Sequence, residues 1–242
     1  MGKGMFMRKG EVHTAPCSGI LASDIAVGST VKLLENGTAV EYLVVNQGIP
    51  SSSSLYDSSC DGTWLLRKGI YTTATMMDGI VTTNDYSNSD THTYLNSTFL
   101  GLLDSNIQSA IKQVKIPYQN GGYGSVKSGA NGLSTKIFLL SGYEVGWTTS
   151  NHNYLPVDGA CLDYFIGTSA TDTKRSASYN GYYSNWWLRS PNTNNTSSVW
   201  QVYTDGSYQS NSANTYDGIR PALIVPSNAL FDQDTMILKG VA

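Results

Sequence analysis

The chain has 242 residues, enough for one large domain or two small ones, and only 14% of them are charged, against roughly 25% in an average soluble domain. A net charge of −3 with no clustered Lys or Arg argues against a surface that tracks nucleic-acid phosphates. No stretch approaches the ~20 apolar residues of a membrane span, which argues against membrane insertion.

The missing charge is replaced by Ser, Thr, Asn and Gly, with 16 Tyr among the aromatics, the composition of a strand- and loop-rich protein. The N-terminus, Met1-Gly2-Lys3-Gly4-Met5-Phe6-Met7-Arg8, lacks the apolar core of a signal peptide, so any action outside a cell implies another route of delivery. Cys17, Cys60 and Cys161 are widely spaced without a Cys-x-x-Cys motif and allow one disulfide or three free thiols. Sequons at Asn36, Asn96, Asn194 and Asn195 are what chance supplies in a chain this rich in Asn, Ser and Thr.

Residues 1–19 show no periodicity and read as an extension, either a tether or assembly peptide or a loosely ordered tail. Val31-Lys32-Leu33-Leu34 and Val40-Glu41-Tyr42-Leu43-Val44-Val45 predict two strands joined at Asn36-Gly37, residues that tolerate positive φ in a hairpin turn. The second is apolar on both faces at its end and belongs inside a sheet. Ser51–Ser54 is a loop, and Thr63-Trp64-Leu65-Leu66-Arg67 a further strand. Ser89 or Asp90 caps a helix whose apolar face holds Tyr94, Leu95, Phe99, Leu102 and Leu103. Asp104 caps a second, whose Ile107, Ile111 and Val114 form one stripe and which ends at Ile116-Pro117. Residues 119–134 and 167–184 read as loops, Lys136–Leu140 as a buried strand and Leu162–Ile166 as a helical turn or two. The last quarter predicts strands at Trp186–Arg189, Val199–Tyr203 and Gly218–Val225, with a tight turn at Asp205-Gly206 into Tyr208 and Gln209, and Pro221 at an edge or irregular start. Strands, then helices, then strands give an α+β fold with one main sheet.

Residues 192–217 carry the most information. They hold five Asn, five Ser, four Thr, three Tyr and Trp200, and no Lys, Arg or Glu. Rigid rings with adaptable amides and hydroxyls are the composition of a paratope, and low charge avoids the cost of desolvating ions. An ordinary polar hairpin has a similar inventory. Asn192, Asn194, Asn195, Trp200, Gln201, Tyr203, Tyr208, Ser210, Asn211, Asn214 and Tyr216 are the candidate ligand-binding residues, with Trp200, Gln201, Tyr203, Tyr208, Asn211, Asn214 and Tyr216 expected on one exposed face. Trp186, Trp187, Arg189 and Arg220 bracket the segment. The arginines are expected to hold it rigidly, with backbone carbonyls of the intervening loops as partners.

Trp186-Trp187-Leu188-Arg189-Ser190-Pro191, followed by Gly218-Ile219-Arg220-Pro221-Ala222-Leu223, resembles an uncharacterised domain common in phages and gut bacteria. Tyr94-Leu95-Asn96, Phe99 and Ile137-Phe138-Leu139-Leu140-Ser141 fit the same pattern, and the resemblance spans roughly residues 20–228. It implies a C-type lectin-like fold: a mixed or antiparallel sheet, two helices and long irregular loops, with 229–242 as a C-terminal tail. This fold also hosts the variable proteins of diversity-generating retroelements, in which a reverse transcriptase rewrites surface residues between such motifs. The implied function is that of a receptor-binding protein at a phage tail or fibre tip, located in the virion. Its partners would be a bacterial surface protein or glycan and other tail or fibre proteins, and it would form a homo-oligomer, trimers included. The alternative is a structural virion or cell-surface assembly domain using the same face for oligomer contacts.

Enzymatic readings find little to stand on. Formylglycine-generating enzymes of the same superfold use reactive cysteines in the C-terminal half, where Cys161 has no later partner. His13, His92 and His152 are scattered, and Asp163 and Asp172 lie in loop sequence where Asp is common. The Glu-Pro-Asn and Trp-Asn-Asp triplets of calcium-dependent lectins are absent. No cofactor, metal or catalytic residue is therefore expected.

Overall fold

The structure, a computed structural model, describes residues 19–51 and 54–242. Most of the expected extension, His13 and Cys17 within it, lies outside the described residues, as do Ser52 and Ser53.

Strand outweighs helix, and the fold is α+β. Where one main sheet was expected there are two sheets of five strands. The first runs Ile137–Phe138, Ala222–Val225, Thr63–Arg67, Thr38–Gln47, Thr30–Glu35, every pair antiparallel. Its founding hairpin turns at Asn36 (φ 48°) and Gly37 (φ 71°), as the Asn-Gly signal predicts. The Thr38–Gln47 strand lies inside the sheet because both of its faces are apolar: Tyr42 and Val44 enter one core, Leu43 and Val45 the other. The second sheet runs Tyr208–Ser212, Ser198–Val202, Trp186–Pro191, Asp217–Ile219, Thr72–Ala74 and is mixed, since Trp186 pairs in parallel with Gly218.

The predicted strand over 218–225 is divided between these sheets. Asp217–Ile219 belongs to the second and Ala222–Val225 to the first, with Arg220-Pro221 as the crossover. Proline has no N–H for a ladder, so it sits where the chain changes partner, and its carbonyl still accepts from Arg67 N at 2.9 Å.

The Ser89 hydroxyl caps Asp90–Tyr94, accepting from His92 N at 3.0 Å, and the turn continues through a π-helical Leu95–Phe99 into Leu100–Leu102. Leu103, expected on this helix, is extended but still buried. The second helix, Ser105–Ala110, is shorter than predicted. Val114–Ile116 is a strand paired with Leu133–Thr135, because β-branched Val and Ile bury equally well there. Asp104 does not cap this helix through its side chain; its carboxylate accepts from Gly37 N instead.

The stretches read as loops contain short hairpins, Tyr118–Gln119 with Val126–Lys127 and Ala177–Tyr179 with Tyr182–Ser184. Residues 229–242, expected as a tail, form Ala229–Asp232 and Leu238–Val241. The first of these also pairs with Gly19–Leu21, and Phe231 and Leu238 are buried in the core. No helix among the described residues is long and apolar enough to cross a membrane.

Candidate functional site: an open sheet end lined by tyrosines

The second sheet lies between the two cores. Trp187 and Val199 pack to one side, and Trp186, Leu188, Trp200 and Val202 to the other. This corrects the expectation for Trp200 and Gln201, which are 2% and 0% exposed. The Trp200 ring packs on His152 with centroids 4.5 Å apart, and its indole N–H donates to the Tyr154 carbonyl. Tyr208 is half-buried against Trp147, His152 and Trp200, so it belongs with the core rather than with a display surface.

The bracket residues Trp186, Trp187, Arg189 and Arg220 are all buried, and the arginines reach backbone carbonyls, but of segments 67–68, 117, 139, 158 and 175 rather than of the loops between them as expected. The Trp186–Pro191 strand leaves its partner between Trp187 and Pro191, and Arg189 N bonds to Leu140 O instead. This irregularity turns Arg189 inward. There it grips Glu144 through two 2.6 Å bonds and donates to the carbonyls of Pro117, Leu139 and Asp158. Tyr56 Oη and Ser141 N also donate to the Glu144 carboxylate. Asp158 lies in the same buried cluster with Ser190 Oγ on both of its oxygens, and burial pushes its carboxyl up to about 7. Arg220 has no carboxylate partner among the described residues. It donates to the carbonyls of Arg67, Lys68 and Arg175 and lies 4.9 Å from the Trp186 ring centroid. Burial pulls it down to about 9, still protonated at neutral pH. A third buried arginine, Arg175, was not singled out in the sequence. It ties together the carbonyls of Val145, Ser169 and Gly206 and stacks over Trp147.

The remaining candidates separate to the two ends of the sheet. At one end, Asn192, Asn194 and Asn195 form the turn between two strands, and buried Asn84 closes it. The Asn84 amide nitrogen reaches the carbonyls of Asn192, Asn195 and Ser198, and its oxygen accepts from Gly122 N at 2.6 Å. Asn192 is itself 8% exposed and donates to Ser210 Oγ, while Asn194 and Asn195 face solvent. Asn214 is exposed on the crossing segment and donates to Gly79 O.

At the other end the register places Asn185, Tyr203 and Asp217 side by side, flanking Trp186, Val202 and Gly218. A Cβ on Gly218 would meet the Asn185 carbonyl at 2.6 Å, so only glycine permits this close parallel approach. The result is a groove of about 370 Å³ lined by Thr73, Tyr183, Ser184, Asn185, Tyr203, Thr204, Tyr216, Asp217 and Gly218. Tyr183, Tyr203 and Tyr216 are 68%, 42% and 72% exposed around it, while Asp217, at 8%, is its most buried polar group. Burial pushes the Asp217 carboxyl up to about 6, opposed by hydrogen bonds from Asn211 and Asn185. The Gln201 amide is assigned with its nitrogen toward Asp217, since the opposite orientation would set two acceptors 2.5 Å apart, and so donates to that carboxylate. Gln201 and Asn211 therefore support the groove from behind.

Tyr183 and Asp217 were not among the sequence candidates. A signal for Tyr183 did exist: Asn180-Gly181, with φ 50° and 86°, is a hairpin turn that presents Tyr182 and Tyr183. No group of three His, Cys, Asp or Glu suited to a metal occurs among the described residues. Cys60 and Cys161 are free thiols, and burial pushes Cys60 up to about 12, which makes it a poor nucleophile. Asp172 caps a helical turn through Lys174 N. No curated protein and no solved structure matches the chain. The family model described as Domain of unknown function (DUF6273) matches residues 61–227, and the chain belongs to that family.

Proposed function

We propose that the chain is a non-enzymatic recognition module that holds its target in the groove at the open end of the second sheet. The single observation carrying this reading is the gathering of three exposed tyrosines, brought from three separate segments, around one rigid polar groove. Tyrosine gives contact area at small entropic cost, and three such rings around one groove offer a partner aromatic faces together with hydroxyls. The groove's size falls within the range of small-ligand sites. The buried arginines supply the stiffness that preorganised binding needs.

The motif resemblance adds the finer reading: a C-type lectin-like fold, a receptor-binding role at a phage tail or fibre tip, and diversification by a retroelement. The mixed five-stranded sheet, the helices and the long irregular run through 139–172 agree with that fold. The target would then be a bacterial surface protein or glycan.

The test is saturable binding of labelled chain to a panel of bacterial cells. The triple variant Tyr183→Ala, Tyr203→Ala, Tyr216→Ala should keep its melting transition and lose binding. Unchanged binding would place recognition elsewhere. If instead the native mass changes from oligomer to monomer in that variant, the face is an assembly contact.

A further inference from the structure

The groove is lined by hydroxyls, one amide and one carboxylate, and no Lys or Arg lines it. Asp217 is held from behind by Gln201, Asn211 and Asn185, all neutral. The ion pairs recorded among the described residues join Arg67 to Glu35, Lys68 to Glu41, Arg189 to Glu144 and Lys239 to Asp232, and none of them reaches Asp217. A nearly buried carboxylate with no countercharge is unusual, because burial without a partner costs free energy. The neutral donors already in place can orient this carboxylate but cannot neutralise it. Around it stand Tyr183, Tyr203 and Tyr216, whose ring faces carry negative electrostatic potential.

A cation satisfies both features. It pairs with the carboxylate, and it is attracted to the rings with a strength that grows as water is excluded. A neutral hydroxyl-rich ligand would stack on the tyrosines yet leave the charge unmatched. We propose that the groove binds an alkylammonium group, with the Asp217 carboxylate as counter-ion and the three tyrosines as an aromatic enclosure. This rests on the reading of the groove as the recognition site and names the chemistry taken there. The ammonium can come from a quaternary headgroup or from a primary amine on a sugar or a lysine side chain.

The experiment is a titration of the full chain, with ring-labelled tyrosine followed by NMR at constant ionic strength. The probes are choline, its neutral carbon isostere dimethylbutanol, and lysinamide. Choline should shift the Tyr183, Tyr203 and Tyr216 ring signals saturably and bind about tenfold or more tightly than the isostere. Asp217→Asn should bring choline down to the isostere's affinity. Lysinamide binding more tightly than choline would assign the site to primary amines, and the reverse to quaternary ones. If Asp217→Asn disturbs the fold, Tyr216→Ala, at a 72% exposed position, replaces it and should weaken choline more than the isostere.

Equal affinities for choline and isostere, or choline binding indifferent to Asp217→Asn, would overturn the cation assignment while leaving the groove as a binding site. Absence of any ring shift would also overturn it. Cell binding by the triple tyrosine variant then judges the groove reading independently.

Discussion

The two ends of the second sheet are made from the same kinds of residue and do opposite things. At the 192–198 end the backbone carbonyls are turned back on the protein, where one buried amide, Asn84, occupies three of them at once, although the Asn194 and Asn195 side chains face solvent. At the 185/203/217 end no side chain closes the gap, and three tyrosines stand in water around a carboxylate. The contrast shows that an Asn-, Ser- and Tyr-rich segment is not a surface by virtue of composition. What makes a surface is where the chain's own donors and acceptors go unanswered.

That contrast can be broken from the side of the framework. The largest effect should come from Arg189→Leu, which leaves Glu144 buried without its partner and unfastens three carbonyls. The expected loss is about 3–5 kcal/mol, seen as a collapsed denaturation midpoint or a failure to fold. A midpoint within about 1 kcal/mol of the parent would mean that the cluster is not the keystone of the loops.

Asp158 gives the next effect, through pH. Its folded pKa of about 7 lies above the ordinary carboxylate value, so the folded state binds the proton more tightly than the unfolded one. Stability from this group is therefore fully present below about pH 4 and is lost as pH rises through about 7, on the order of a few kcal/mol in all. With Asp158 protonated, the buried Glu144–Arg189 pair is left electrically neutral; with it ionised, the cluster carries an unmatched negative charge. Asp158→Asn should flatten the fall in melting temperature between pH 4 and 7, and an unchanged slope would remove Asp158 as its source.

Asn84→Ala sharpens the comparison at the closed end. Losing the amide strands several buried carbonyls and should cost about 1–3 kcal/mol, with amide exchange speeding up across 192–198 and not around 203 or 217. The smallest effect on stability belongs to the rim. Tyr203→Ala and Tyr216→Ala remove exposed rings and should stay within about 0.5 kcal/mol of the parent.

The sequence carried local chemistry well and burial poorly. Asn36-Gly37 specified its hairpin because the turn needs two positive φ values, and Trp186–Arg189 was recognisable as a strand from its apolar run. The arginines beside it were legible as structural because a guanidinium set in apolar strand rarely lacks partners. Trp200 and Gln201 were misplaced because the composition of the segment does not show which of its residues are covered, and this strand is covered on both faces. Asn84 lies in irregular sequence with partners 38 to 114 residues away, and Arg175 joins nearby Ser169 to carbonyls 30 and 31 residues away, so nothing local announces their roles. Asp217 escaped because a single acid among amides has no pattern; only the fold reveals that no ion pair among the described residues reaches it.

The most direct test compares the two ends in one binding assay on target cells. The variant carrying Tyr183→Ala, Tyr203→Ala and Tyr216→Ala should lose binding, while Asn194→Ala with Asn195→Ala should keep it. The opposite result, with binding lost at the asparagines and kept without the tyrosines, would contradict the assignment of recognition to the open end.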